Sequence, residues 1–167
     1  MRNEKVIPIE IYTDGSCKKL ANRTFGAWAF VVVIDNQLQY YASESFCENT
    51  NQWMELLAAI EALKYIEAIK KPDERVIIYS DSAYLINCYE QEWYINWKAN
   101  GWRNAAKKEV ANKDLWWELI PFFEKFGYDF RKVKGHATCV WNNKCDELAQ
   151  KAAEEAKINW RGKENEW

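Results

Sequence analysis

Residues 5–14 alternate between two faces, with Ile7, Ile9 and Ile11 on one and Glu10, Tyr12 and Asp14 on the other. A period of two marks a strand with one buried face. The apolar runs "FGAWAFVVVID" and "QLQYYASESF" follow, joined across Asp35-Asn36. They predict a hairpin, so the first three strands run antiparallel. The period then lengthens. "NTNQWMELLAAIEALKYIEAIKKPD" predicts a long helix, capped by Thr50 or Asn51 and closed before Pro72. "RVIIYSDS" reads as a short buried strand ending at Asp81. A second helical stretch comes next, then a Trp-rich segment, then "KDLWWELIPFFEKF" as a helix broken near Pro121. "YDFRKVKG" predicts the last strand, and a final helix starts at about Asn142. The order βββαβαααβα predicts an α/β domain with a mixed sheet.

A length of 167 residues suits one domain, and no repeat or linker divides it. With 49% of residues apolar, the body of the chain is not expected to be disordered. The start "MRNEKVIPIEIYTDGS" is too interrupted by charge for a secretory signal, and no apolar run is long enough to cross a bilayer. Cys17, Cys47, Cys88, Cys139 and Cys145 are odd in number and form no CxxC pair. They argue against a disulfide framework or a zinc site and fit a reducing cytoplasm.

The net charge of −2 does not by itself point to a nucleic-acid partner. Its distribution changes that picture. Between Lys98 and Lys113 the chain carries Lys98, Arg103, Lys107, Lys108 and Lys113 against Glu109 alone, with Trp97 and Trp102 in or beside the run. The ordinary explanation of such a stretch is a solvated charged face with core tryptophans, and Trp102, Trp116 and Trp117 are expected to follow it. The ten tryptophans of the chain exceed what a core of this size usually needs.

Four acids stand where acids are costly. On a helical wheel Glu55 opens a stripe of Ala58, Ala59, Ala62, Ile66 and Ile69, while Lys64, Glu67 and Lys71 point away. Asp14 and Asp81 are each expected to end a strand, and Asp146 shares a helix face with Ala149 and Ala153. Each also has an ordinary explanation: first-turn acids for Glu55 and Asp146, turn or cap aspartates for Asp14 and Asp81. Together they suggest convergence at one edge of the sheet. Carboxylates gathered without a histidine–cysteine set favour Mg²⁺ or Mn²⁺ over zinc. Two such ions suit displacement at a phosphodiester.

"YTDGSC", "TNQWMELLAAIEAL", "YSDSAYL", "NWKANGWRNAAKKEVANKDLW" and "VKGHATCVWNNKCDELA" resemble, in order, the motifs of the type 1 ribonuclease H family, from about residue 6 to about residue 155. The resemblance implies the ribonuclease H-like fold, a five-stranded mixed sheet of three antiparallel then two parallel strands flanked by helices. It implies a Mg²⁺-dependent endonuclease, with Mn²⁺ as a possible substitute, that cuts RNA paired to DNA and leaves 3′-hydroxyl and 5′-phosphate ends. Asp14, Glu55, Asp81 and Asp146 become the metal-binding acids. His136, the one histidine of the chain, becomes an auxiliary group on the loop beside them. Thr50 and Asn112 are implied for a DNA-phosphate pocket, and Cys17, Asn51 and Gln52 for the hybrid's minor groove. Trp93 and Trp97 would line the DNA channel, with Lys98, Arg103, Lys107 and Lys108 supplying attraction to phosphates.

The chain departs from the family at "KKLANRTFGAW", where many bacterial members have a glycine-rich turn and where Asn22 stands near a family asparagine. It also departs at Glu48 and at Ala83. Two other functions compete: a module that grips hybrids without cutting them, and a related two-metal nuclease or strand-transfer enzyme acting on DNA. The sequence reads as one catalytic domain over residues 1–160 with a short tail, 161–167, acting as a cytoplasmic monomer. No separate hybrid-binding module is expected ahead of the first strand.

Overall fold

The computed structural model describes residues 6–133 and 139–164. Its elements run β1 (Ile9–Leu20), β2 (Arg23–Ile34), β3 (Gln37–Cys47), α1 (Asn51–Ile69), β4 (Val76–Ser80), α2 (Ala83–Glu90), α3 (Trp93–Ala99), α4 (Lys113–Phe123), β5 (Tyr128–Lys132) and α5 (Val140–Glu164). The strands form one sheet in the order β3-β2-β1-β4-β5. β1 pairs antiparallel with β2, and β2 with β3, while β4 runs parallel to both β1 and β5. This is the expected βββαβαααβα order and the mixed sheet that goes with it.

Strand alternation divides the interior into two layers. Ile9 and Ile11 of β1, Trp28, Phe30 and Val32 of β2, and Ile78 and Phe130 from the parallel strands pack against α1, α2, α3 and α4. Tyr12, Ala29, Val31 and Val33 point the other way and pack under Cys145 and Ala149 of α5. Helix α1 is buried along most of its length because it lies between the sheet and α4, although Ile69 at its end is exposed.

Three local expectations are corrected. β1 does not end at Asp14. Its pairing with β4 stops at Thr13–Ser80, but its antiparallel pairing with β2 continues to Leu20–Arg23. Helix α4 runs through Pro121 to Phe123 rather than breaking there. Pro121 lies on the exposed side of the helix, away from its buried face. Trp116 is fully buried as expected, but Trp117, 59% exposed, projects from α4 away from the buried face of Leu115, Trp116, Leu119, Ile120 and Phe123.

Candidate active site

Two strands and two helices bring the acids together. Asp14 sits where β4 leaves β1, and Asp81 follows the last residue of β4. The parallel pairing places both at the same edge of the sheet. α1 crosses that edge and presents Glu55 from its second turn, beyond the first-turn position where an acid would simply complement the helix dipole. One carboxylate oxygen from each of Asp14, Glu55 and Asp81 lies within 4.8 Å of the others. α5 contributes Asp146, also beyond its first turn, which interacts directly with Asp14 and accepts a 2.8 Å hydrogen bond from Gln150 Nε2.

The close approach of β1 to α1 depends on Gly15, a contribution that the sequence pattern did not reveal. A Cβ there would stand 2.7 Å from the Glu55 backbone nitrogen and 2.8 Å from the Met54 carbonyl carbon. Real carbon contacts do not reach those distances. A "DG" pair is more often read as a turn; here the glycine lies inside a strand and lets a helix settle against it. Below the acids, Cys145 is fully buried and directs its Sγ at the carbonyls of Tyr12 and Ala29, at 3.4 and 3.2 Å. Burial first, and then the surrounding carboxylates, raise its pKa, so it remains a neutral thiol packing α5 onto the sheet.

The electrostatics are those of like charges held apart from water. Asp14 is 4% exposed. Burial, reinforced by the charge of Asp81 and by Asp146, pushes its pKa up to about 7. Burial and the charges of Asp14 and Asp81 push Glu55 well above the ordinary carboxylate range. Among the described residues no lysine or arginine forms an ion pair with Asp14 or Glu55. Glu55 Oε2 is buried and accepts no hydrogen bond. A buried anionic oxygen without a partner is unfavourable unless a cation completes it. An all-carboxylate donor set suits a hard divalent ion, and these residues therefore fit Mg²⁺.

The residues expected to hold substrate differ in how they are engaged. Thr50 caps α1, its Oγ1 accepting from the Trp53 N–H at 3.1 Å, which leaves the hydroxyl proton free to donate. Asn51 and Gln52 follow, both exposed. Cys17 Sγ donates to the Asn49 carbonyl at 3.4 Å, tying β1 to the turn before them. Asn112 has a positive φ of 59° and makes no side-chain cap bond to α4. It lines a recess of about 590 Å³ together with Trp53. Trp93 and Trp97 border a second recess of about 400 Å³ with Asn100 and Arg103. Trp97 is 9% exposed and packs on Trp93, Trp102 and Trp116, so little of its ring is open to a ligand. Lys98 is engaged by Glu124 at 2.8 Å, and Arg103 donates to the Lys107 carbonyl at 2.9 Å. Lys107 and Lys108 are exposed and form no ion pair among the described residues. His136 lies outside the described residues.

Comparison with known proteins agrees with the fold and the acidic centre. The RNase H family model matches residues 7–154. A ribonuclease H of Syntrophomonas wolfei is 46% identical over 145 residues, covering 86% of this chain and 94% of its own. One from Francisella tularensis subsp. novicida is also 46% identical over 145 residues, covering 86% and 90%. In solved structures the same fold recurs in the PFV RNase H domain, with a TM-score of 0.74 at 24% identity over 90% of this chain and 96% of that one. LC11-RNase H1, solved with an RNA/DNA hybrid, gives 0.67 at 21% identity over 89% and 98%. A centre of converging acids at one sheet edge, joined to a family match along nearly the whole chain, leads to one conclusion: this chain belongs to the type 1 ribonuclease H family and is a hydrolase of that family.

Proposed function

We propose that the chain is an endonuclease that hydrolyses the RNA strand of RNA–DNA hybrids, leaving 3′-hydroxyl and 5′-phosphate ends. The observation that carries this reading is the convergence of Asp14, Glu55 and Asp81 within 4.8 Å in a chain of this family. When bound there, two Mg²⁺ ions, or Mn²⁺ in their place, would supply Lewis-acid activation of the attacking water and stabilisation of the departing 3′ oxygen.

The side chains supply the rest. Asp14, Glu55, Asp81 and Asp146 would hold the ions, and Gln150 steadies Asp146 through its 2.8 Å hydrogen bond. Because Asp14 keeps its proton up to about pH 7 in the metal-free protein, ion binding displaces a proton. His136 assists by orienting water or easing product release, an auxiliary role suited to imidazole near neutral pH.

Selection of the hybrid falls to the flanking groups. Cys17, Asn51 and Gln52 face the minor groove, where the 2′-hydroxyls of the RNA strand are displayed. Thr50, through its free hydroxyl proton, and Asn112, through its uncommitted amide, take a DNA phosphate. Trp93, with the small exposed part of Trp97, lies along the deoxyribose strand, where a 2′-hydroxyl would be crowded. Lys107 and Lys108, with contributions from Lys98 and Arg103, provide sequence-independent attraction to phosphates.

The chain is read as one catalytic domain, supported by its single five-stranded sheet. We read it as a monomer and place it in the cytoplasm, the latter supported by its five free cysteines. Among the described residues no helix is long and apolar enough to cross a membrane.

The test is cleavage of an end-labelled RNA–DNA hybrid with Mg²⁺ and with chelator, beside DNA–DNA and RNA–RNA duplexes. Cutting of the RNA strand of the hybrid alone, and only with Mg²⁺, is expected. Binding without cutting, or equal cutting of DNA–DNA, would replace this reading with one of its two rivals.

A further inference from the structure

Beyond Asp14, the tip of the β1–β2 hairpin loses the support of β4, whose pairing with β1 stops at Thr13–Ser80. It turns through Ala21, at a φ of 54°, and projects beside the turn that leads from β3 into α1. Both hairpin strands hold that turn. The Glu48 N–H donates to the Thr24 carbonyl at 2.8 Å, and Cys17 Sγ donates to the Asn49 carbonyl at 3.4 Å. Glu48 itself adopts a left-handed φ of 63°, a conformation that a non-glycine residue keeps only when its surroundings enforce it.

The far end of α5 reaches this tip. Trp160 lies 5.7 Å from the Phe25 ring, tilted by 53°, and the Arg23 guanidinium carbon sits 5.1 Å from the centroid of the Trp160 ring. Arg23 extends in turn to Glu48, with Nη1 and Oε1 3.6 Å apart. An ion pair this open is weak when both side chains move freely. A guanidinium stacked on an indole is far less free.

We propose that Trp160 is a positioning residue for hybrid binding. It fixes Arg23 against Glu48 and thereby holds residues 48–50 in the conformation that presents Asn51 and Gln52 to the substrate. Arg23 also offsets an acidic charge that would otherwise face an approaching phosphate backbone. The proposal rests on the assignment of Asn51 and Gln52 to the hybrid. It gives a role to two departures from the family pattern: Glu48, and Arg23 in the altered stretch that follows Cys17. Neither Trp160 nor Arg23 touches the acids, so both act on affinity and not on the chemical step.

Steady-state kinetics of the full chain on an RNA–DNA hybrid test this, with thermal melts confirming that each variant is folded at the assay temperature. Trp160→Ala is expected to raise KM about threefold to fivefold with kcat within about twofold of wild type, and Trp160→Phe to recover most of the loss. Arg23→Gln is expected to raise KM about threefold, and to have little effect when Glu48→Gln is already present. If Trp160→Ala does not fold, Arg23→Gln, which leaves the Trp160–Phe25 contact in place, decides the matter. Wild-type KM in Arg23→Gln, or an equal loss on adding it to Glu48→Gln, overturns the proposal. Asn51→Ala separates the two layers of inference: an unchanged KM there defeats the groove assignment itself. A raised KM there, with Arg23→Gln at wild-type KM, defeats the clamp alone.

Discussion

The acidic centre and the basic segment that follows α2 are built in opposite ways. The acids stand on or beside packed regular elements, β1, β4, α1 and α5, and the core presses them into a small volume despite their mutual repulsion. The basic segment hangs from α3, a helix of 7 residues, and then turns through positive φ at Gly101, Trp102, Lys107 and Asn112. Its cations Lys98, Arg103, Lys107 and Lys108 are exposed, and several of the segment's cations answer to nearby acids or carbonyls. Chemistry on a phosphodiester needs oxygens placed to a fraction of an ångström, which only packed elements provide. Attraction to a polyanion needs only charge within a Debye length, which a loose segment provides as well.

This contrast implies a ranking of effects. Asp14→Asn is expected to reduce kcat about a thousandfold or more without unfolding the protein. In the absence of metal and at a pH above about 7, where Asp14 is ionised, it is expected to raise the melting temperature, because a buried anion in repulsive surroundings has been removed. A destabilised variant that still cuts would reverse the contrast. Next comes Gly15→Ala, which replaces none of the acids but drives β1, with Asp14, from α1, with Glu55. Overpacking of this kind costs about 1–3 kcal/mol of stability, and Mg²⁺ affinity is expected to fall about tenfold or more, as when a supporting contact of a metal ligand is lost. Calorimetric Mg²⁺ titration of this variant measures the second effect.

A smaller effect is set by pH. Asp14 ionises near 3.8 when unfolded and near about 7 when folded without metal, so between those values the native state binds more protons. Its stabilising contribution is therefore complete below the lower value and lost as pH rises through the upper one, by up to roughly 4 kcal/mol. Thermal melts without metal should show stability falling from about pH 5 to about pH 7.5, and saturating Mg²⁺ should cancel or reverse that fall. The same slope with and without Mg²⁺ would mean that the ion binds elsewhere. Least severe is the double change Lys107→Ala with Lys108→Ala. It is expected to leave kcat intact, raise KM a few-fold and lower the salt dependence of binding by about one to two in logarithmic slope.

Much of the centre was legible because burial and charge conflict visibly in the chain. Glu55 opens a stripe of alanines on a helix, and Asp81 closes a short apolar strand; both positions follow from periodicity alone. Asp14 was legible as an acid near the end of a strand, but not as one inside it. The residues beyond it, Gly15 to Lys19, lack the apolar alternation that marks a strand, and β2 alone supplies their pairing. Gly15 was hidden for a related reason: its contact is with a helix distant in sequence, and no local rule signals where a missing Cβ is needed. Trp117 was misplaced because two adjacent tryptophans on a helix cannot be divided into buried and exposed without knowing which side faces the sheet. The link from Trp160 through Arg23 to Glu48 joins three elements and leaves no periodic trace.

The decisive measurement is a calorimetric titration of Mn²⁺ or Mg²⁺ into wild-type protein and into Glu55→Gln, with circular dichroism confirming equal folding. Glu55 is the acid whose buried oxygen has no hydrogen bond, so removing its charge should weaken ion binding about tenfold or more and abolish hybrid cleavage with it. Undiminished ion binding and undiminished cleavage by Glu55→Gln would show that the catalytic cations bind somewhere other than among Asp14, Glu55 and Asp81.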